Sequence, residues 1–233
     1  MALVKFGGGI VQASGSIAGN VFARNRGGNY MRARTKPVNP NSSRQTAARI
    51  AITFLAEQWR DSPMTDELRA QWETYAAAIN WQNALGETIK LTGFQHFIRS
   101  NARLVRCGLP IVTAGPTVLS LPGADTTFAC AFNATTQKIT VTFDDTEDWC
   151  DEDGGALQVH MGRPQNPTRN FFGGPYRFAD SIDGDSGTPP TSTEDIDPPF
   201  VLVAGQKIWA RASLIRMDGR CSDFFFATPA VAT

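Results

Sequence analysis

Between residues 41 and 108 apolar side chains recur at helical spacing. In "NSSRQTAARIAITFLAEQWRD", Ala48, Ile52, Leu55 and Trp59 fall at i, i+4, i+7 and i+11, one stripe of an amphipathic helix. Asn41, Ser42 and Ser43, directly after Pro40, supply N-cap chemistry. Leu68, Trp72, Ala76 and Ile79 repeat the stripe, with Thr65 as cap and Asp66 and Glu67 in the first turn, where the helix dipole favours carboxylates. The short "DSPM" between these two helices predicts antiparallel neighbours. A third helix opens at Thr92, presents Phe94, Phe97, Ile98, Leu104 and Val105 on one face, and stops at Gly108. Residues 41–108 therefore read as a three-helix bundle, with Trp59, Trp72 and Phe97 in its core.

After Gly108 the period changes from helical to alternating. "LPIVTAGP", residues 109–116, has the proline and glycine content of a linker. Short β-rich runs follow: "TVLSL", "TFACAF", "KITVTF", "ALQVHM", "PYRFADSI", "FVLVAG", "KIWARASLIR" and "SDFFFATPAV". Ile139, Val141 and Phe143 alternate with Thr140 and Thr142, the mark of a half-buried strand. "SLIRMDGRCSDFFF" reads as a hairpin turned at Asp218–Gly219. Seven or eight short strands over residues 117–233 predict an antiparallel Ig-like β-sandwich. The expected class is thus α+β and multidomain.

Residues 1–40 fit neither pattern. Seven glycines fall in the first 28 positions, and Pro37 and Pro40 push the residues before them towards extended geometry. Such a stretch is expected to be an extended arm, floppy or a weak ribbon when alone in water. Within it, "NYMRAR" sets Tyr30, Arg32 and Arg34 against Met31, Ala33 and Thr35, as a strand with one packed face would.

Net charge is zero, but the charge is segregated. Residues 1–108 hold 14 Lys/Arg against 6 Asp/Glu, and residues 109–233 hold 8 against 16. The two halves are +8 and −8, and the first acidic residue is Glu57. Asymmetry of this kind points to an interaction surface or to head-to-tail contacts between copies. No apolar run approaches the roughly 18 residues of a membrane helix. The start "MALVKFGGGI" has a lysine and glycines where a signal peptide carries an apolar block. Cys107, Cys130, Cys150 and Cys221 show no C-x-x-C pairing and read as reduced, mostly buried thiols. A Cys130–Cys150 or Cys150–Cys221 bridge stays open at this point.

Little in the chain can carry catalysis. His96 and His160 are the only histidines, and neither sits in a nucleophile motif. His96 reads as a capping or surface imidazole. The acidic run "DDTEDWCDEDGG", residues 144–155, begins like a calcium loop at Asp151, Asp153 and Gly154 but lacks the third aspartate and the closing glutamate. It reads as a solvated loop, as does "DSIDGDSGTPPTSTEDIDPP", residues 180–199. "FGGGIVQASGSIAG" has neither phosphate-loop spacing nor a preceding strand. No enzyme, cofactor or metal centre is expected.

The feature that asks for a function is the stretch from Gly19 to Arg49, with seven Lys/Arg and no Asp/Glu. Its arginines would serve phosphates, and Phe22 and Tyr30 could stack on bases. They would equally serve an acidic protein surface, which the −8 half of another copy supplies. The same stretch carries a G-N-V segment (Gly19, Asn20, Val21), a glycine followed by R-x-R (Gly28, Arg32, Arg34) and an N-P-x-S-x-x-Q helix opening (Asn39, Pro40, Ser42, Gln45). Over roughly residues 7–105 this order resembles a group of phage and prophage-encoded structural proteins, and the second half resembles the fibronectin-type or Ig-like modules of virion surfaces. The resemblance implies a setting, the virion assembled in a host cytoplasm, and no mechanism. It implies a capsid decoration (cement) or head–tail or tail accessory protein. Arg24, Arg26, Tyr30, Arg32, Arg34, Asn39, Pro40, Gln45 and Arg49 would dock onto major capsid or tail subunits or onto further copies of the chain. Two alternatives stay open: a nucleic-acid-associated protein using the basic arm, and a glycan-binding surface module with its site near Trp149.

Overall fold

Each helix begins on the residue whose side chain can cap it. The computed structural model describes residues 2–36, 38–61, 63–83 and 85–233; Pro37 and the Ser62 of "DSPM" lie outside them. Helix α1 (Ser43–Arg60) opens on Ser42: its Oγ accepts the Gln45 amide at 3.3 Å, and Gln45 Oε1 accepts the Ser42 amide at 3.3 Å. This reciprocal box satisfies two of the amides that a helix start leaves orphaned. Helix α2 (Asp66–Ala78) is capped by Thr65. Helix α3 (Gly93–Cys107) repeats the box with Thr92 and Gln95 and ends at Gly108 in the left-handed conformation.

The three helices do not form the expected arrangement of sequence neighbours. α1 and α2 each pack on α3 and share little direct contact. α3 is the hub because its first residue is Gly93: a Cβ there would lie 2.7 Å from the Glu73 amide nitrogen, so α2 crosses it backbone to backbone. Leu55, Trp72, Tyr75, Ile79 and Phe97 close the core, with Trp59 half-buried beside them. α1 contributes one buried residue, Leu55, and Ile52 of its expected stripe is 51% exposed. A two-stranded ribbon, β5 (Trp81–Gln82) with β6 (Thr88–Ile89), bridges α2 and α3.

His96 is not at the surface. It lies in this core, its Nε2 accepting the Trp81 indole N–H at 3.3 Å, edge-on to Tyr75. Burial, helped by Arg99, pushes its pKa down to about 4. His160 is likewise buried, and burial together with Arg211, Arg106 and Arg103 pushes it down to about 3. Both are therefore neutral in the native state and would take up protons once unfolded below about pH 6.5. Stability contributed by these two groups is complete above that pH and is lost as pH falls towards 4. Denaturant midpoints measured between pH 7 and 4.5 are expected to drop, with a limiting slope of at most about 1.4 kcal/mol per pH unit for each histidine. An acid limb that starts only below about pH 4.5, where carboxylates titrate, would refute this assignment.

Beyond α3 the chain forms antiparallel sheets. β7 (Ala129–Asn133), β8 (Lys138–Thr142) and β11 (Glu194–Ile196) make a three-stranded sheet in the order β11–β8–β7. β9 (Ala156–Gly162), β10 (Tyr176–Asp183), β13 (Ala210–Ile215) and β14 (Phe225–Phe226) make a four-stranded sheet in the order β10–β9–β13–β14. β12 (Lys207–Ile208) pairs with β15 (Ala230–Val231). Side chains from both larger sheets enter one apolar cluster, including Phe132, Ile139 and Val141 from one and Leu157, Val159, Ala212 and Leu214 from the other. The hairpin expected at Asp218–Gly219 is present, with Gly219 at φ +85°.

Two expected strands are absent and one was missed. "TVLSL" is held between Pro116 and Pro122 and exposes Val118 and Leu119. "FVLVAG" follows two prolines, and the Gln137 side-chain amide, not a strand, takes both the Leu202 N–H and its carbonyl, at 2.9 Å each. β11 lies inside the 180–199 segment read as a loop; its pairing to β8 turns Ile196 into the core and Asp195 to the opposite face.

The helical and β parts are joined through α3. All seven residues of β9 are buried: Leu157, Val159 and Met161 enter the shared cluster, while on the other face Gln158 meets α3 and His160 meets Phe178 and Phe224. Gln158 Nε2 donates to the Arg103 carbonyl at 2.9 Å and to Cys107 Sγ at 3.0 Å, while Leu104 packs on Ile215 and Cys221. Residues 109–116, expected as a linker, run as a fixed strap. Asn101 accepts the Val112 amide at 2.7 Å and donates to its carbonyl at 3.0 Å; the Trp72 indole donates to the Thr113 carbonyl at 2.9 Å. The four cysteines are free; burial pushes the Cys130 and Cys150 thiols up to about 12.

The segment expected as an extended arm is instead a small antiparallel sheet. β1 (Ala2–Leu3), β2 (Gly15–Ile17), β3 (Asn20–Asn25) and β4 (Gly28–Ala33) lie in the order β1–β4–β3–β2. Turn chemistry makes the difference. Arg26 and Gly27 form a two-residue loop between paired Asn25 and Gly28, Asn25 Oδ1 accepts the Gly27 amide at 2.9 Å, and Gly28 takes φ +112°, open to glycine alone. The class is α+β.

Candidate docking surface

The β3–β4 hairpin gathers five of the expected contact residues. Register places Arg24 opposite Asn29, Ala23 opposite Tyr30 and Val21 opposite Arg32. Pleating then puts Tyr30 and Arg32 on one face with Val21, and Arg24 on the other with Phe22 and Met31. Arg26 sits in the turn. Arg34, just past β4, donates its amide to the Gly19 carbonyl at 2.8 Å. Arg24, Arg26, Arg32 and Arg34 are all exposed, and among the described residues none forms an ion pair.

The remaining four, Asn39, Pro40, Gln45 and Arg49, lie at the start of α1 and are spent on it. Arg49 Nη2 donates to Asn39 Oδ1 at 2.9 Å and Nη1 to Asn41 Oδ1 at 3.2 Å, while Gln45 completes the box with Ser42. The N-P-x-S-x-x-Q spelling is thus a helix opening whose polar groups satisfy one another.

What sets this region apart is its lack of a core. Among the described residues none before Leu55 is buried, although 2–54 include four strands and about three turns of helix. Neither face of the sheet is closed into a core: Phe22, Met31, Val21 and Tyr30 are half-buried and none is fully buried. Val11, Ile17, Val38, Ile50, Ile52 and Phe54 are exposed. A fully buried residue of this kind contributes about 1.5–3 kcal/mol, against an ordering cost of about 1–2 kcal/mol per residue. Among the described residues the sheet packs extensively on no other element; just past β1, Lys5 forms an ion pair of 2.6 Å with Glu87 of the β5–β6 turn.

Two concavities adjoin this region or oppose it in charge. A groove of about 780 Å³ runs between the alanine face of α1, Val105 of α3 and the start of β10, with Arg44, Arg106 and Arg177 in its walls. A second cleft, of about 460 Å³, lies between β10 and β11 and is lined by Asp180, Asp183, Asp185, Glu194 and Asp195. Among the described residues none of these five carboxylates is in an ion pair.

The other candidates are committed to structure. In the 144–155 loop, Asp144 accepts the Thr146 amide, Asp153 the Ser186 amide and Asp145 the Ser192 amide. Glu152 takes a two-pronged contact from Arg216; burial pushes its carboxyl up, and the Arg216 and Met217 hydrogen bonds outweigh that and hold it low. Among the described residues no group of three His, Cys, Asp or Glu is placed to hold a metal ion. Trp149 is buried against Phe143, so it offers no platform to a sugar ring. Among the described residues no helix is long and apolar enough to cross a membrane. No protein-family model, curated protein or solved structure matches the chain.

Proposed function

We propose that this chain is a non-enzymatic structural protein of a bacteriophage particle, a capsid decoration or a head–tail or tail accessory protein. It docks on neighbouring virion subunits through its N-terminal sheet and the first turns of α1. The observation that carries the reading is the coreless region before Leu55: strands with correct turns and caps but, among the described residues, no buried side chain need a neighbour to close them. The β half is then the outward module. Its strand orders, β11–β8–β7 and β10–β9–β13–β14, support a fibronectin-like member of the Ig-like sandwiches, the fourth strand extending the sheet of the third.

Hydrogen exchange tests the docking. In the isolated chain the amides of β2–β4 are expected to exchange orders of magnitude faster than those of α3, and protease should cut before residue 42 while sparing the rest. In purified particles the same amides should be protected. A free chain whose front end is as protected as α3 overturns the reading, as does a particle in which that end stays unprotected. Binding to oligonucleotides that falls steeply with salt and depends on Arg24, Arg32 and Arg34 would favour the nucleic-acid alternative.

A further inference from the structure

Resting on that docking reading, we propose that the partner of the N-terminal sheet is a second copy of this chain, and that its β3–β4 hairpin seats in the acidic cleft between β10 and β11 of that copy. The hairpin is the centre of its sheet, with a tip (Ala23–Asn25 and Gly28) that runs past the residues paired to β2 and β1, and among the described residues its four exposed arginines form no ion pair. The cleft is its chemical complement: among the described residues its five carboxylates form no ion pair, and Lys138, the cation near Asp195 and Asp180, is paired with Asp197. Asp195 accepts the Thr140 hydroxyl at 2.6 Å, and Asp185 accepts the amides of Gly187 and Thr188. Asp180 accepts the Ser181 amide at 2.9 Å. Those neutral donors orient the carboxylates without cancelling their charge.

Backbone geometry favours the same site. β10 and β11 are the outer strands of their sheets, each paired on one side only, and the backbone of the hairpin tip, Ala23–Asn25 and Gly28, which is not paired to β2 or β1, is the part able to join those edges. Arginine forks onto carboxylates would add direction to that pairing. The +8 and −8 halves of the chain are then the two sides of one repeating contact. Because hairpin and cleft are different patches of the same chain, the contact is head-to-tail and builds rings or filaments.

Sedimentation velocity on the full chain tests this with two charge-reversed variants, Arg24→Glu/Arg32→Glu/Arg34→Glu in the hairpin and Asp180→Lys/Asp183→Lys/Glu194→Lys in the cleft. Wild type is expected to self-associate at least about tenfold more tightly in about 0.1 M than in about 1 M salt, across which the screening length falls from about 10 Å to about 3 Å. Each variant alone should sediment as a monomer, and an equimolar mixture of the two should associate again, since each retains the surface the other has lost. Circular dichroism matching wild type shows that the variants fold; Arg→Gln and Asp→Asn versions should give smaller losses in the same direction. A wild type that stays monomeric at low salt, or a cleft variant that associates as wild type does, overturns the proposal. A hairpin variant that loses its place on the particle while the cleft variant keeps it would sink this partner and leave the docking reading standing. Hairpin-dependent oligonucleotide binding by a monomeric wild type would sink both.

Discussion

A Trp72→Ala variant is expected to lose about 3–5 kcal/mol of stability, lowering Tm by roughly 6–20 °C. Trp72 is fully buried and joins α3, the 109–116 strap and the Asp218–Gly219 turn. Its ring meets Phe97 of α3 edge-on at 5.7 Å and Tyr75 at 6.2 Å. Its indole N–H donates to the strap at Thr113, and its six-membered ring lies against Gly219 at the turn of the Asp218–Gly219 hairpin. Alanine removes the filling and leaves the Thr113 carbonyl unpaired. Trp72→Phe keeps most of the volume and should cost about 1–3 kcal/mol for the carbonyl left without a donor. Calorimetry on the two variants separates the contributions; a wild-type Tm for Trp72→Ala would mean that the strap is held by something else.

A Gly184→Ala substitution is the second large effect expected, about 3 kcal/mol or more. A Cβ there would sit 2.1 Å from the Trp149 carbonyl oxygen and 2.8 Å from that of Glu152. Both oxygens are tied into their loop, Trp149 accepting the Glu152 amide at 3.4 Å and Glu152 the Gly155 amide at 2.9 Å. The Gly184 and Asp185 amides hold the strand end to the same loop through the Gly155 and Cys150 carbonyls, at 2.8 and 2.9 Å. The same change at Gly123, which has nothing within 4 Å of its Cβ position, should be close to neutral. Urea midpoints for the pair check the contrast, and equal midpoints would refute the close packing of the 144–155 loop on the end of β10.

The parts of this fold legible in the sequence are those whose chemistry is local. Helix starts at Ser42, Thr65 and Thr92 and the stop at Gly108 depend on side chains within a few residues of the backbone they satisfy. The role of α3 was hidden, because its buried face includes His96, Ser100 and Asn101, polar residues that pattern reading assigns to solvent. β11 was hidden for the same reason, with Glu194 and Asp195 masking the single inward Ile196. In the N-terminal region the glycine count outweighed the Asn25–Gly28 turn signal, although that signal was present. The charge segregation that marks the candidate surface is visible in composition. Which arginines remain unpaired is not: Arg49 and the hairpin arginines look alike in sequence, and only the fold shows that Arg49 is held by Asn39 and Asn41.

The sharing of α3 has a mechanical consequence. Tension applied at the start of α1 passes along it to Leu55, crosses to α3, and leaves α3 through Gln158 and Ile215 into the four-stranded sheet. Such a subunit would transmit a pull as a stiff strut does. A fragment cut at residue 109 would carry a raw seam where α3 had been.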